Sequence, residues 1–366
     1  MAATSTSQAN AERAHSGAPA SAASAPQVQY HALSELAAHP ASWWHDVLGA
    51  VLYGAELACP RLPLADIPLV RVPSEQLGAG PAVLELWRAP GSDATALISG
   101  QHGRVRYRQG RGLLFAAVDL AERAGYAAAS DDLGMQMGRT TQLTYRELFD
   151  TLSHVGLVHP LRLWNYVADI HRRSADSERY SQFNAGRQDA FLQAGRRLSG
   201  DVPAASVLGV GGAEPLTVYA LASGQAPLPI ENPRQCSAWN YPRQYSERPP
   251  TFARACLDRV GGARLLISGT ASILGHRSEH HGDPVGQTRE TLQNIRALLM
   301  VANEHVGETR FSEGALAYKV YVRHGADQPR IAQVLQEELG PAPMRLYLRA
   351  DVCRSELLVE IEATSV

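Results

Sequence analysis

An α+β fold is expected from this 366-residue sequence on three observations. Short runs of β-branched and other apolar residues recur along the whole chain, and several show the period-2 alternation of a half-buried strand. Longer segments between them carry apolar stripes at helical spacing. In the second half these elements follow one another as β-α-β-α-β-β, an order that suits a sheet covered on one face by helices.

The elements are read in chain order. Residues 1–28 are rich in Ala, Ser, Thr and Gln, with no apolar stretch of signal-peptide type, and are expected to be a disordered tail. An N-terminal α+β half over 29–226 follows. Its strand candidates are Pro68–Val72, Val83–Trp87, Leu113–Val118, Leu161–Val167, Ser206–Val210 and Leu216–Leu221. Thr144–Val155 reads as a helix with Leu148, Leu152 and Val155 on one stripe, and a polar helix runs from about Tyr180 to Leu198. Gly209, Gly211 and Gly212 match no phosphate-loop spacing and mark a turn. Six prolines between Pro227 and Pro250 define a linker, which leaves 251–366 as the C-terminal domain. That domain starts with the strand Arg264–Ser268, followed by a helix from about Pro284 to Glu304 striped by Leu292, Ile295, Leu299 and Ala302. A strand over Ala317–Arg323, a helix over Ile331–Leu339 and two closing strands complete it. The last strand, Leu357–Ile361, places Glu360 between Val359 and Ile361, so its carboxyl faces away from its apolar neighbours.

Composition narrows the function. A formal net charge of −2 offers no electrostatic case for nucleic acid or an anionic membrane. No apolar run reaches the roughly 18 residues needed to span a bilayer. Cys59, Cys236, Cys256 and Cys353 show no paired spacing and read as reduced thiols of a cytoplasmic protein. His276, His280, His281 and Asp283 fit no zinc spacing and read as a solvated loop, so no metal or cofactor is expected.

The phrases Leu266-Ile267-Ser268-Gly269, Gln287 to Ile295 and Val359-Glu360-Ile361-Glu362-Ala363 resemble the RidA/YjgF-like superfamily. A narrower resemblance, to the chorismatase family, lies in Asn240 to Tyr245, Pro249 to Ala255, Ser268 to His276 and Cys353 to Glu362. It extends more loosely to Leu161–Tyr166 in the first half. The resemblance implies a RidA/YjgF-like (chorismate-mutase-like) C-terminal domain packed on a related N-terminal α/β half in a pseudo-oligomeric arrangement. A monomer and a trimer both remain open.

It also implies cleavage of chorismate, a small-molecule dianion, to pyruvate and a ring product, with 3-hydroxybenzoate and in some members also 4-hydroxybenzoate formed. That chemistry needs an acid that protonates the enolpyruvyl methylene carbon, and a carboxyl raised by apolar walls supplies one near neutrality. By the resemblance Glu360 is that acid, and Cys353 is a position where the larger side chain goes with aromatising members and a small one with hydrolytic members. Substrate carboxylates call for the planar fork of arginine. The resemblance points to Arg345 first, then Arg243 and Arg162, with Tyr241 and Phe252 lining the ring pocket and a small residue near Gly269 or Ala271 contributing. Competing readings are a hydrolytic chorismatase, an imine deaminase of RidA type, and a metabolite-binding protein without turnover.

Overall fold

The computed structural model describes residues 28–54, 66–91, 96–122, 136–174, 177–212, 215–341 and 343–366. Cys59 and residues 1–27 of the expected tail lie outside the described residues, while Val28, its last residue, begins the first strand instead. The chain opens with β1 (Val28–Ala32), a single turn α1 (Leu33–Leu36), β2 (Val47–Tyr53), β3 (Leu69–Val72) and β4 (Val83–Arg88). These strands form a four-stranded sheet in the order β1-β4-β2-β3.

The next stretch holds β5 (Ile98–His102), β6 (Val105–Gly110), β7 (Leu113–Leu120), α2 (Gln136–Val155) and β8 (His159–Ala168). A small ribbon, β9 (Arg173–Ser174) with β10 (Ser177–Glu178), precedes α3 (Arg179–Gln193), β11 (Ala204–Val210) and β12 (Leu216–Ser223). The last stretch holds β13 (Leu228–Ile230), β14 (Ala255–Asp258) and β15 (Arg264–Ala271), then the ribbon β16 (Ile273–Leu274) with β17 (Arg277–Ser278). It closes with α4 (Pro284–Val306), β18 (Leu316–Val322), α5 (Gln328–Leu339), β19 (Arg345–Arg349) and β20 (Val359–Ser365).

The two six-stranded sheets share one topology. The first runs β5-β6-β7-β12-β8-β11 and the second β13-β14-β15-β20-β18-β19. In each, a helix joins the third strand to the fifth, a second helix joins the fifth to the sixth, and the last strand returns between the third and the fifth. The final pair of neighbours is parallel in both, β11 with β8 and β19 with β18. The N-terminal half is therefore a structural relative of the C-terminal domain, as expected.

Each sheet buries one face under its own helices. Leu148, Phe149, Phe183 and Phe191 cover the first, and Leu292, Ile295, Ile331 and Leu335 cover the second. The opposite faces meet the four-stranded sheet in one shared core containing Val51, Tyr53, Trp87, Phe115, Trp164, Tyr219, Leu266, Tyr321 and Leu348. Three sheets around one core give the pseudo-oligomeric arrangement within a single chain.

Local chemistry explains the boundaries of α4. Asp283 caps its start by accepting from Val285 N at 3.0 Å, Pro284 fits the first turn, and Gly307 ends it at φ 75°. Asp283 thus has a local structural role rather than a ligating one. The expected linker needs correction. Leu228–Ile230 pairs with β14 and is the edge strand of the second sheet, where Pro229 is tolerated because an edge residue need not donate. No helix among the described residues is long and apolar enough to cross a membrane.

Candidate active site

Glu360 owes its position to the alternation of β20. Val359, Ile361 and Ala363 enter the core under α4 and α5, which turns Glu360 and Glu362 to the inner face. The neighbouring strand β15 bulges there. Its register against β20 slips between Ile267 and Thr270, so one extra residue is accommodated around Ser268 and Gly269. A Cβ on Gly269 would lie 1.9 Å from Glu360 Oε1, so only glycine lets this carboxyl rest against the backbone. Glu360 is 4% exposed and lines a cavity of about 220 Å³.

The cavity lies where the two halves meet. Gly269, Ala271 and Glu360 line it from the sheet, while Tyr241, Gln244, Tyr245 and Ser246 come from the segment between β13 and β14. Pro250, Phe252 and Arg254 add a further wall, Cys353 to Glu356 another, and Glu178 and Tyr180 enter from the start of α3. Burial pushes the Glu360 carboxyl up to about 8, and the negative charge of Glu362 adds to the rise against the opposing pull of Arg162, Arg254 and Arg323. Near neutrality most of it is protonated. Burial, then Glu360, push the Cys353 thiol up to about 12, so it stays a neutral thiol and fills space rather than acting as a thiolate.

Two arginines line the cavity. Arg254 Nη2 donates to Cys236 O at 2.6 Å and to Tyr241 Oη at 2.7 Å, and its buried Nε has no acceptor among the described residues. Arg354 lies 4.0 Å over the Tyr245 ring, donates through Nη1 to His276 O at 2.9 Å, and its buried Nη2 has no acceptor among the described residues. A buried donor without a partner costs free energy that an incoming carboxylate can recover. The loop carrying Cys353 and Arg354 is fixed from outside. Arg323 donates to the carbonyls of Val352, Arg354 and Leu357, and His171 Nε2 lies 2.8 Å from Val352 O. Tyr245 Oη lies 3.2 Å from His276 Nδ1, which gives His276 a role in this wall.

The structure gathers Glu360, Cys353, Tyr241, Phe252, Gly269 and Ala271 around one cavity. It places the three expected carboxylate-binding arginines elsewhere. Arg345 sits on β19, separated from β20 by β18, and its side chain donates to Gln336 Oε1 and Gly340 O. Leu346 and Leu348 take the inner face of that strand, so alternation turns Arg345 outward. Arg243 is exposed on a turn beside the cavity and does not line it. Arg162 is 1% exposed, with Nη2 bound to Glu362 Oε2 at 2.7 Å and Ser206 Oγ at 2.9 Å. Cys353 lies in the loop after β19 rather than on a strand. Arg254 and Arg354 were within reach of the sequence, because they stand beside Phe252 and Cys353 in the phrases that carry the resemblance.

A second polar group fills the shared core behind the cavity. Lys319, the only lysine of the chain, lies 2.8 Å from Glu362 and 2.8 Å from Glu85. Trp164 Nε1 and Ser206 Oγ also donate to Glu362, each at 2.8 Å, while Tyr53 Oη and Trp87 Nε1 donate to Glu85, each at 2.7 Å. Burial alone would raise Glu362, but Lys319 and Arg162 outweigh it and hold the carboxyl below its ordinary range.

The family described as "Chorismatase FkbO/Hyg5-like, N-terminal" matches residues 85–222. A 3-hydroxybenzoate synthase of Streptomyces hygroscopicus is 40% identical over 240 residues, covering 62% of this chain and 69% of that protein. A chorismatase of Streptomyces rapamycinicus is 33% identical over 287 residues, covering 76% of this chain and 80% of that protein. A chorismatase crystal structure at 1.08 Å resolution matches with a TM-score of 0.76 and 27% identity, covering 94% of this chain and 99% of the other. Sequence kinship across both halves, together with a shared architecture over nearly the whole length, establishes that the chain belongs to the chorismatase family.

Proposed function

We propose that this protein converts chorismate to 3-hydroxybenzoate and pyruvate, with Glu360 as the acid. The observation that carries the reading is a carboxyl held protonated near neutrality inside a cavity that also presents Arg254 and Arg354. A dianionic enol ether suits such a cavity, with one guanidinium for each carboxylate. Glu360 delivers its proton to the terminal methylene carbon, and the electron pair of that double bond forms the new C–H bond. The adjacent ether carbon becomes an oxocarbenium ion. The ionised Glu360 left behind is stabilised by the positive charges of Arg162, Arg254 and Arg323.

The fate of the oxocarbenium ion decides the product. Attack by the substrate's own ring hydroxyl, followed by loss of pyruvate and of a ring proton, gives the aromatic acid, and the two products together contain the atoms of the substrate. Attack by water gives a dihydroxycyclohexadiene carboxylate instead. The neutral thiol of Cys353 stands at the cavity wall and favours the first route by excluding water. We place the reaction in the cytoplasm, where Cys236, Cys256 and Cys353 stay free thiols. Incubation with chorismate followed by product separation tests the reading. Pyruvate with 3-hydroxybenzoate supports it, pyruvate with the diene diol moves the chain to the hydrolytic reading, and unconsumed chorismate overturns both.

A further inference from the structure

Glu362 stands two residues beyond Glu360 on the same face of β20, which separates their carboxyls by about 7 Å at an ordinary strand rise. It does not line the cavity. Donors from three other strands hold it: Lys319 of β18, Arg162 and Trp164 of β8, and Ser206 of β11. The outermost member of the cluster, Glu85 of β4, balances it, so two carboxylates face two cations. We propose that Glu362 is a positioning residue for the Glu360 acid, acting as a fixed negative charge, pinned where the three sheets meet, that keeps Glu360 in its protonated form.

The other groups that face Glu360 set the direction of the effect. Arg162 from β8, Arg254 from the segment before β14 and Arg323 beyond the end of β18 favour its ionised form, while Cys353 and Tyr180 face it as neutral groups. Burial and Glu362 are what oppose those cations. Replacing Glu362 by glutamine leaves Lys319 and Arg162 balanced by Glu85 alone, so the cluster becomes a net cation beside Glu360. For unit charges about 7 Å apart at an effective dielectric constant of about 20, this loss moves the Glu360 midpoint down by about 1.7 pH units. The inference rests on the reading of Glu360 as the acid, and the test separates the two.

The experiment is the pH dependence of kcat for Glu362→Gln and wild type, with the Glu360 carboxyl followed independently by infrared difference spectra against Glu360→Gln. The expected result is a high-pH limb displaced downward by about 1.7 pH units, with kcat retained on the acid side and reduced about tenfold near pH 7.5. Glu85→Gln, which frees the same cation at greater distance, displaces the limb in the same direction by less. A purely structural role lowers activity at every pH without moving the limb, and that result overturns the proposal. If the carboxyl band shifts in Glu362→Gln while the rate profile does not, the positioning stands and Glu360 is not the acid. Should Glu362→Gln fail to fold, Glu85→Gln and the wild-type spectra decide. Glu362 must remain ionised throughout the titration of Glu360, and its protonation before Glu360 overturns the proposal.

Discussion

Glu360 and Glu362 occupy one face of one strand, yet belong to two regions with opposite electrostatics. Glu362 lies in the shared core with Lys319 at 2.8 Å and Arg162 at 2.7 Å, and is held below the ordinary carboxylate range. Glu360 meets a cavity instead, with apolar and backbone surroundings that push it up to about 8. Burial acts on both in the same direction, so burial does not separate them. The difference comes from whether fixed donors reach the carboxyl. Where they do, the acid is a structural anion; where they do not, it keeps its proton and can donate it.

Mutations can break this contrast from either side. Glu360→Gln is expected to lower kcat by about 10²- to 10⁴-fold, the usual worth of a positioned general acid, with no loss of melting temperature. Steady-state rates on chorismate check this, and full turnover in the variant would remove the proposed acid. Lys319→Met attacks the other region. It leaves Glu85 and Glu362 buried without their shared cation and is expected to cost about 3–5 kcal/mol of stability, read by chemical denaturation.

Arg354→Met and Arg254→Met are expected to raise KM by about tenfold or more, because each removes a charged donor for a substrate carboxylate. Arg345→Met serves as the contrast, with KM unchanged, since that side chain faces α5. An increased KM for Arg345→Met alone would show that the cavity described here is not where chorismate binds. A further effect concerns stability against pH. The Glu360 value of about 8 lies above the ordinary 4.5, so the native state holds the proton more tightly than the unfolded chain. Its contribution is whole below pH 4.5 and is lost as the pH rises through about 8. The melting temperature of Glu360→Gln relative to wild type should therefore climb across that interval, and a flat difference would contradict the raised value.

The arginines teach what a sequence phrase leaves out. Alignment over the last strands singles out Arg345 and Glu360 together, but β18 inserts between their strands in the sheet. Sequence distance carries no record of that insertion. Arg254 and Arg354 stand beside Phe252 and Cys353 in the chain, but their value lies in what they touch. Arg354 stacks on Tyr245, 109 positions earlier by number, and Arg254 reaches Tyr241 across a turn. Nothing local in the sequence marks Lys319 as the cation shared by Glu85 and Glu362.

What the sequence determined by itself was local. Period-2 and helical periodicities located most strands and helices, because successive side chains of β18 and β20 are sent to opposite faces, one under the helices and one toward the inner core, and because α4 buries a single stripe. The same alternation placed the Glu360 carboxyl opposite Val359 and Ile361. The tertiary structure decided which residues meet it: the repeated sheet topology, the bulge at Gly269, the pairing of cavity arginines with tyrosines, and the separate fates of two neighbouring acids. These depend on contacts between segments far apart in the chain, and a carboxyl's proton affinity follows from the charges and walls that such contacts assemble around it.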